Sequence, residues 1–418
     1  MRALLRALLR FGSPRRLRRT FLWLRETASA IRRRRAEPRL TVAVDVNSFY
    51  EPLTGVGWYL QRLLVHLAGR DDLRLRLYGQ SLVEGDPGAP KPVVELPRGP
   101  AIERVVYAAP DGLVIPPWRA HQVLRRLAPL LLAADGNDVL FAPNFLFPRL
   151  FLFARGARVA MIHDLGVRKL PWAVRPDSAA ALREQLERTL LEADLLLTPS
   201  EAVRRELAET GVSPRRVRAI HHGTGVVADA ASTPVPAGTP SRYALHVGTV
   251  EPRKNVSTLL ATWRRLRARR LDPPPLVLCG GFGWKAETLR REIAEATREG
   301  WLLHLGYVSA DELAALYRSA ELVVLPSFYE GFGLPAVEAL RAGAPLVASD
   351  LPVLREVAGE AALYAPPDRP DLWADRIAAL LADGGLREAL RNEGFERAAL
   401  FDWHRTAAET ARAFREAL

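Results

Sequence analysis

The sequence has little cysteine, little lysine and no long apolar run. Its single cysteine, Cys279, excludes an intrachain disulfide, and its place in the apolar run Leu276–Cys279 predicts a buried thiol in a reducing compartment. No apolar run reaches the roughly 20 residues that span a bilayer. The N-terminus also lacks the continuous apolar region and small-residue cleavage site of a secretory signal. We therefore expect a cytoplasmic protein.

Positive charge is concentrated in one place. The 418 residues include only four lysines, so the cationic surface is almost entirely arginine. Residues 1–39 hold 13 arginines against Glu26 and Glu37, which accounts for +11 of the net charge of +12. The rest of the chain is nearly neutral and is long enough for two domains, each with a sizeable core.

The basic N-terminal segment, residues 1–35, has apolar residues at three-to-four spacing with arginine between them. This pattern is typical of a helix lying on an anionic membrane surface, where each basic residue contributes about 1 kcal/mol. A disordered or mis-assigned leader is one alternative, and nucleic-acid binding is another. No recognised nucleic-acid fold accompanies the segment, so we favour a peripheral position on the inner face of the cell membrane and expect no nucleic-acid partner.

From Leu40 onward, short apolar runs alternate with helical patterns, which predicts an α/β fold of doubly wound, mainly parallel sheets. The predicted strands are 40–46, 74–78, 138–142, 157–162, 194–198, 216–220, 242–247, 276–280, 301–305, 321–325 and 345–348. The predicted helices are 55–69, 119–134, 178–193, 200–210, 255–270, 284–299, 310–319, 335–342, 351–358, 369–383 and 402–417.

The pattern stops between residues 224 and 241, which are rich in Ala, Pro, Thr and Val and read as an interdomain linker. We therefore predict a first domain at 40–223, a second at 242–400, and a final helix at 401–418 that returns to the first domain. Two such domains place a ligand cleft at the carboxyl ends of both sheets.

The most informative stretch lies near residue 330. Gly331 and Gly333 follow a strand and permit a tight turn, and Pro335 suits the first turn of a helix. A helix N-terminus behind glycines is a seat for phosphate. Glu330 at its lip and Glu338 within the helix accept hydrogen bonds, so they are suited to sugar hydroxyls. The structural alternatives are a capping carboxylate and a solvated helix face.

Three more motifs follow strands in the second half. Arg253 and Lys254 lie beside a helix N-terminus, where adjacent cations would stabilise a leaving diphosphate. Gly280 and Gly281 end another strand and permit close backbone approach. The stretch Gly306-Tyr307-Val308 ends a third strand.

These four motifs in this order resemble the nucleotide-sugar-binding half of retaining glycosyltransferases of family 4, which have the GT-B fold. The resemblance is clearest over residues 242–365 and favours a bacterial mannosyltransferase-like group. It implies two Rossmann-like domains facing across a cleft. It also implies hexose transfer from a nucleoside diphosphate sugar, with retention at the anomeric carbon and with no metal or other cofactor. No Asp-x-Asp pair ends a predicted strand, which is consistent with metal independence.

The resemblance also implies residue roles in the second domain. Glu330 matches the glutamate on the donor sugar's hydroxyls, and Glu338 matches the one on the ribose. The remaining matches are Lys254 and Arg253 on the diphosphate, Phe332, Gly333 and Leu334 as backbone holding sugar and diphosphate, and Tyr307 and Val308 beside the base. Many members have arginine where this chain has Thr249, so Arg253 is expected to take that duty.

In the first domain the resemblance implies an acceptor site. Gly55 and Gly57 match a glycine-rich loop near the donor phosphates, although a plain strand-to-helix turn is the alternative. His163 matches an active-site histidine near the sugar's primary hydroxyl, with Asp164 accepting its ring N–H. Asn144, Ser200 and Glu201 are further candidates at strand ends. The pair His221-His222 has no third ligand and is not a convincing metal site.

Other functions fit parts of these patterns. A GT-B epimerase or phosphorylase would share the architecture, and a catalytically silent sensor would bind the donor without turnover. A membrane or nucleic-acid adaptor would depend on residues 1–39 alone. We favour a glycosyltransferase that uses GDP-mannose and acts on a glycan or lipid-linked glycan acceptor, since the stretch from Gly248 to Asn255 resembles bacterial enzymes that often use that donor.

Overall fold

The structure is a computed structural model of the 418-residue chain. It describes residues 28–29, 31–32, 39–50, 55–79, 83–84, 91–105, 107–108, 129–151, 153–224 and 233–418. The chain divides into two compact units. The first unit comprises residues 1–161, 186–197 and 407–418, and the second comprises residues 162–185 and 198–406.

The first sheet has seven strands in the order β4-β2-β1-β6-β7-β8-β9. These strands are β1 (Leu40–Asp45), β2 (Leu73–Tyr78), β4 (Ile102–Arg104), β6 (Val139–Ala142), β7 (Ala157–Met161), β8 (Leu195–Thr198) and β9 (Val217–Ala219). The pairs β1–β2, β1–β6, β2–β4, β6–β7 and β7–β8 are parallel. A separate parallel pair joins β3 (Val83–Glu84) to β5 (Tyr107–Ala108).

The central strands β1 and β6 are buried along most of their length and are mainly apolar, which is typical of parallel strands covered on both faces. The helices that alternate with these strands along the chain are α1 (Gly55–Leu67), α2 (Gly166–Lys169), α3 (Pro176–Glu192) and α4 (Glu201–Glu209). Helix α1 buries Tyr59, Leu60, Leu63, Leu64 and Leu67, which share one face at three-to-four spacing.

The second sheet has six parallel strands in the order β12-β11-β10-β13-β14-β15. They are β10 (Ala244–Val247), β11 (Leu276–Cys279), β12 (Leu302–Gly306), β13 (Leu322–Leu325), β14 (Leu346–Ser349) and β15 (Ala362–Ala365). The chain builds outward in one direction from β10 to β12 and then in the other from β13 to β15. The strand order therefore reverses between β10 and β13.

Helices cover both faces of the second sheet. They are α5 (Val256–Ala268), α6 (Glu287–Arg298), α7 (Ala310–Ser319), α8 (Leu334–Arg341), α9 (Pro352–Ala358), α10 (Pro370–Ala382) and α11 (Gly384–Ala398). A final helix, α12 (Trp403–Glu416), follows α11. Neighbouring strand residues face different cores: Leu245 packs with α7, α8 and α9, whereas Ala244 packs with α5, α6 and α10. This alternation is the pattern of a doubly wound layer.

The prediction of two Rossmann-like α/β domains is confirmed. The structure adds β3, β4, β5, β15, α2 and α11, which the sequence patterns did not predict. The last residues of α12 cluster with the first unit, where the Phe414 ring packs edge-on against Phe141 at 5.1 Å.

Three predictions fall wholly or partly outside the described residues. Of the basic segment at 1–35, only four residues are described. The undescribed parts of the other two are residues 119–128 of the predicted helix at 119–134 and residues 225–232 of the predicted linker at 224–241. Within the described ranges, no helix combines the length and apolar character needed to cross a bilayer.

Candidate functional site

Two loops of the second unit meet where the strand order reverses. The loop after β10 contains the 3-10 helix Pro252–Lys254, and the loop after β13 runs through Glu330 to α8. In open α/β sheets, ligands bind in the crevice outside the carboxyl ends of the strands at such a reversal. Both loops leave carboxyl ends, so this place is the expected ligand crevice of the second sheet.

Asn255 ties the two loops together. Its backbone is left-handed (φ 53°), and its buried side-chain Nδ2 donates to the carbonyl oxygens of Pro326 at 2.9 Å and Pro367 at 2.7 Å. Asn adopts this conformation more readily than most residues, because its short polar side chain bonds locally. Asn255 therefore fixes the preceding cations relative to the end of β13.

The Glu330 carboxylate is held by three side chains. Lys254 Nζ donates to Oε1 at 2.6 Å, Ser327 Oγ donates to the same oxygen at 2.7 Å, and Arg253 Nη1 donates to Oε2 at 3.2 Å. The structure thus brings together three of the residues that the family resemblance assigned to the sugar and the diphosphate, namely Glu330, Lys254 and Arg253. It also adds Ser327, which the sequence analysis did not single out.

The charges of this cluster balance. Burial alone would raise the pKa of Glu330, but Lys254 and Arg253 outweigh it and lower that pKa to about 2. Glu251 forms a second ion pair with Arg253 at 3.1 Å. Two cations and two carboxylates therefore sum to zero net charge. At neutral pH Glu330 remains ionised, so it accepts hydrogen bonds and cannot act as a proton donor.

Glu338 lies on α8, where the Tyr317 hydroxyl donates to its Oε2 at 2.8 Å. Burial, and then the nearby Glu338 charge, raise the pKa of Tyr317 well above its ordinary value, so this hydroxyl keeps its proton. Glu338 is half-buried and also acts on Cys279 at the end of β11, whose pKa burial raises to about 11. Glu338 is therefore an oriented carboxylate beside the β11 end rather than a solvated one.

The N-terminus of α8 is capped by Gly333, not by Glu330. Gly333 has φ 88°, and a Cβ there would lie 2.7 Å from Leu354 Cδ2, so only glycine fits this turn. Phe332 is buried, with its ring 5.1 Å from that of His222 and 5.6 Å from that of Phe401. The Phe332 side chain belongs to the buried core cluster, and Leu334 begins the helix.

The glycines after β11 allow close packing. A Cβ added to Gly280 would overlap the carbonyl oxygen of Gly248, and one added to Gly281 would overlap the Tyr307 ring. Tyr307 itself is 81% exposed, while Val308 beside it is half-buried against the core. An exposed aromatic ring at a strand's carboxyl end presents a flat apolar surface to a ligand.

The segment after β7 lies against the loop that carries Glu330, within the second unit. The Tyr329 hydroxyl accepts a hydrogen bond from the Leu165 amide at 2.9 Å, and Ser200 Oγ donates to the Gly331 carbonyl at 2.8 Å. A Cβ at Gly331 would overlap the carbonyl oxygen of His163. His163 and Glu330 are thereby brought to one place, although the sequence placed them in different domains.

Asp164 bonds to its own loop. Its Oδ1 accepts the Gly166 amide at 2.7 Å, which fixes the start of α2, and its charge acts on Arg253. The predicted hydrogen bond from the His163 ring to Asp164 remains a prediction. The His163 ring lies 5.7 Å from the His222 ring.

The histidine pair makes different contacts. His221 Nε2 bonds to Glu356 Oε1 at 2.8 Å, and Glu356 also accepts the Glu201 and Ala202 amides at the start of α4. His222 is buried against Trp403 with parallel rings 5.9 Å apart, and burial lowers its pKa well below the ordinary value. Among the described residues, no group of three His, Cys, Asp or Glu side chains is placed to hold a metal ion.

Gly55 and Gly57 lie in the first unit, at the start of α1. Gly55 is exposed and has open space beside it, whereas Gly57 is buried. Residues 51–54 of their loop lie outside the described residues. The role of these glycines beside the donor phosphates stays a prediction.

Four residues that contact Glu330 or its loop were not predicted to do so from the sequence. They are Ser200, Glu206, Ser327 and Tyr329. Ser327 and Tyr329 lie within three residues of Glu330 in the sequence, so their position was a usable signal. Glu206 lies within a predicted amphipathic helix, where a half-buried glutamate has no signature of its own.

Comparisons with known proteins identify the family of the chain. The sequence model of the family "Glycosyl transferases group 1" matches residues 231–397, and that of "Glycosyltransferase Family 4" matches residues 53–226. The O-antigen chain mannosyltransferase B of Escherichia coli is 30% identical over 384 residues, which cover 87% of this chain and 96% of that protein.

Two solved structures have the same fold. The sucrose-phosphate synthase of Thermosynechococcus elongatus matches with a TM-score of 0.66 at 24% identity, covering 90% of this chain and 98% of that one. Anabaena Alr3699/HepE, in complex with UDP-glucose, matches with a TM-score of 0.62 at 17% identity, covering 89% and 98%. At these identities the likeness shows the fold.

Proposed function

The chain belongs to the glycosyltransferases of group 1 and family 4, and from that membership we propose that it moves a hexose, with mannose favoured, from a nucleoside diphosphate sugar to a glycan or lipid-linked glycan. The reaction retains the configuration at the anomeric carbon and uses no metal. The observation that carries the proposal is the Glu330 carboxylate bound by Lys254 and Arg253 at the reversal of strand order.

In this proposal Lys254 and Arg253 bind the leaving diphosphate. An ammonium has three N–H donors and a guanidinium has five, so Lys254 and Arg253 can bind phosphate oxygens while keeping their contacts with Glu330. The first turn of α8 adds backbone amides with a partial positive charge. These fixed charges stabilise the negative charge that develops on the diphosphate as the glycosidic bond breaks.

The glutamates have binding roles in this proposal. Glu330, with a pKa near 2, accepts hydrogen bonds from the donor sugar's hydroxyls, and Glu338 accepts those of the ribose. The exposed Tyr307 ring lies against the base, with the backbone of Val308 beside it. GDP-mannose is the favoured donor, and the 30% identity to an O-antigen chain mannosyltransferase over nearly its whole length supports mannose.

The chemical step is a displacement on one face of the sugar. The bond from the anomeric carbon to the diphosphate oxygen breaks as the bond to the acceptor oxygen forms on the same face. The acceptor's proton passes to the departing phosphate, which gains charge at that moment. His163, beside the Glu330 loop, lies near the primary hydroxyl of the sugar, and the segment after β7 binds the acceptor.

A membrane surface is part of the proposal for residues 1–35, which lie mostly outside the described residues. The arginine-rich segment would hold the enzyme on the cytoplasmic face, where a lipid-linked acceptor is found. Sedimentation with vesicles of anionic lipid tests this point. We expect the full chain to sediment and a chain lacking residues 1–38 to stay in solution, whereas equal sedimentation of both would contradict it.

The donor is tested by thermal stabilisation with GDP-mannose, UDP-glucose, ADP-glucose and dTDP-glucose, followed by a transfer assay with each. A ligand at a hundredfold excess over its dissociation constant stabilises by about 2.7 kcal/mol. We expect GDP-mannose to give the largest increase in Tm and to be consumed with release of GDP. Stabilisation by another nucleotide alone would reassign the donor, and phosphate-dependent sugar release would identify a phosphorylase.

A further inference from the structure

The segment His163–Gly166 and the loop Tyr329–Gly331 are fastened to each other by the Tyr329 side chain. An amide N–H can only donate, so the Leu165 amide occupies the Tyr329 oxygen as an acceptor at 2.9 Å. The single hydroxyl proton of Tyr329 is then directed to Glu206 Oε2 at 2.6 Å. The result is a hydrogen-bond chain from the Leu165 amide through Tyr329 to Glu206.

Each step of this chain strengthens the next one. A hydroxyl that accepts a hydrogen bond becomes a better acceptor and donor through polarisation, and a bond to an ionised carboxylate is stronger than one between neutral groups. Tyr329 is 8% exposed, so water does not compete well for either bond. The chain therefore fixes both the position and the rotation of the hydroxyl.

Apart from the Tyr329 hydroxyl, the surroundings of Glu206 give its carboxylate little stabilisation. Burial raises its pKa, which the Tyr329 hydrogen bond and the charge of Lys169 only partly oppose, while Glu209 and Asp164 add to the rise. The Lys169 ammonium is 3.9 Å from Glu206, a loose ion pair. A residue needed only for packing would be apolar here, since an incompletely paired half-buried carboxylate costs free energy.

The neighbouring contacts leave little room for the two segments to shift. Gly331 has no space for a Cβ beside the carbonyl oxygen of His163, so the two backbones touch there. Ser200 Oγ holds the Gly331 carbonyl from the start of α4, the helix that also carries Glu206. Helix α4 and its N-cap residue Ser200 therefore hold the loop by hydrogen bonds at both Tyr329 and Gly331.

We infer that Tyr329 and Glu206 are positioning residues that set His163 at a fixed place relative to Glu330 through the Leu165 amide. The inference rests on the proposed function only for the reaction that this positioning serves. Placing reacting groups within a few tenths of an ångström matters because a misplacement of about 1 Å can cost about a hundredfold in rate.

The test compares Tyr329→Phe, Glu206→Ala and Glu206→Gln in the full chain, with Glu209→Ala as the control. Phe keeps the ring packing and removes only the hydroxyl. Gln keeps an oxygen that can accept from Tyr329, whereas Ala does not. Glu209 lies on the same helix and contacts the same Lys169 at 3.5 Å, but Tyr329 bonds to Glu206.

The kinetic readout is the split between kcat and donor KM. We expect Tyr329→Phe and Glu206→Ala each to lower kcat by roughly 10- to 100-fold, with donor KM changed less than about threefold because the donor's direct contacts remain. The double variant Tyr329→Phe/Glu206→Ala is expected to be no slower than the slower of the two single variants, since both changes break the same chain of hydrogen bonds. Glu206→Gln should recover most of kcat, and Glu209→Ala should match the wild type.

The second readout needs no activity. Hydrogen exchange of the Leu165 amide reports its bond to Tyr329 directly, and we expect at least a tenfold faster exchange in Tyr329→Phe and Glu206→Ala than in Glu209→Ala. Additive kinetic effects, or a rise in donor KM with normal kcat, would overturn the inference. Unchanged exchange at Leu165 would do so as well. If the wild type transfers no sugar, the proposed function fails, while the exchange experiment still decides whether the chain holds the segment.

Discussion

Glu330 and Glu206 are two glutamates of the same unit. Glu330 is next to Tyr329 in the sequence and Glu206 is hydrogen-bonded to the Tyr329 hydroxyl, yet their surroundings shift their pKa values in opposite directions. Glu330 is enclosed by Lys254, Arg253 and Ser327, and the cations lower its pKa to about 2. Glu206 has one tyrosine hydroxyl and a distant lysine, and burial raises its pKa.

The difference shows how one side-chain type is divided between two tasks. A carboxylate surrounded by cations stays charged and serves as a fixed hydrogen-bond acceptor within a charge-balanced cluster. A carboxylate with poor charge compensation is tolerated where its geometry is needed. The first setting predicts large losses when a partner is removed, and the second predicts small changes in stability with larger ones in rate.

The largest effect is expected for Lys254→Ala. Removing a fixed charge that stabilises the transition state costs roughly 10²- to 10³-fold in turnover. The variant also leaves Glu330 with less compensation in a buried site, which costs about 3–5 kcal/mol of unfolding free energy. Steady-state kinetics and chemical denaturation measure the two losses.

A second substitution separates those losses. Adding Glu330→Gln to Lys254→Ala removes the uncompensated charge, so stability should recover while turnover stays low. The exposed ion pair Arg264–Glu292, at 3.0 Å, supplies the control: Arg264→Ala should change stability by less than about 1 kcal/mol. A folded Lys254→Ala protein with normal turnover would contradict the assigned phosphate site.

Gly331→Ala is expected to have the next largest effect, because it disturbs the loop that carries both Glu330 and Tyr329, the tyrosine bonded to Glu206. The new Cβ would overlap the His163 carbonyl oxygen, so one backbone must move. We expect kcat to fall roughly 10- to 100-fold, together with a lower Tm. Gly69→Ala is the matched control, since nothing lies within 4 Å of a Cβ at that position. Equal behaviour of the two variants would argue against a close approach at Gly331.

Acid titration sharpens the comparison for Glu330. Its pKa in the folded protein is lowered from 4.5 to about 2, so its contribution is complete above pH 4.5 and is lost as the pH falls towards 2. The shift corresponds to about 3 kcal/mol of unfolding free energy. Denaturation between pH 2 and 6 should show this loss in the wild type and a flatter profile in Glu330→Gln. Identical profiles would contradict the lowered pKa.

The smallest effect is expected for Glu206→Gln. The raised pKa means that the ionised carboxylate destabilises the fold above that pKa, and that the penalty disappears as the pH falls below the ordinary value. At pH 7 the amide removes this penalty and keeps an acceptor for Tyr329. Unfolding free energy should therefore be equal to that of the wild type or higher. A clear decrease in denaturation experiments would contradict this balance.

The sequence predicted the elements that carry the site because local signals mark them. The apolar runs of β10 and β13 and the glycine-proline turn before α8 each lie within a dozen residues. The structure differs for α11, which begins with Gly384-Gly385, a pair that favours a loop, and which Asp383 caps by accepting the Leu386 amide. The preference of a glycine pair was overridden by a cap and by packing.

The contacts within the site were beyond sequence patterns. Lys254 and Glu330 were both expected at the donor, yet their direct bond joins residues 76 apart, and the Tyr329–Glu206 bond joins residues 123 apart. Such pairs depend on how strands are ordered in the sheet and how loops meet. Residue type and spacing indicated the chemistry of each loop, whereas only the folded chain shows which side chains form hydrogen bonds or ion pairs with each other.

The most direct test of the central claim is donor turnover by the wild type and by the stabilised variant Lys254→Ala/Glu330→Gln. Each protein is incubated with a glycan or lipid-linked glycan acceptor and with GDP-mannose or whichever nucleotide sugar stabilises it most, and release of the nucleoside diphosphate is followed over time. We predict turnover by the wild type and at least a hundredfold slower release by the folded double variant. Equal release by the two proteins would contradict the claim that Glu330, Lys254 and Arg253 form the sugar-nucleotide site.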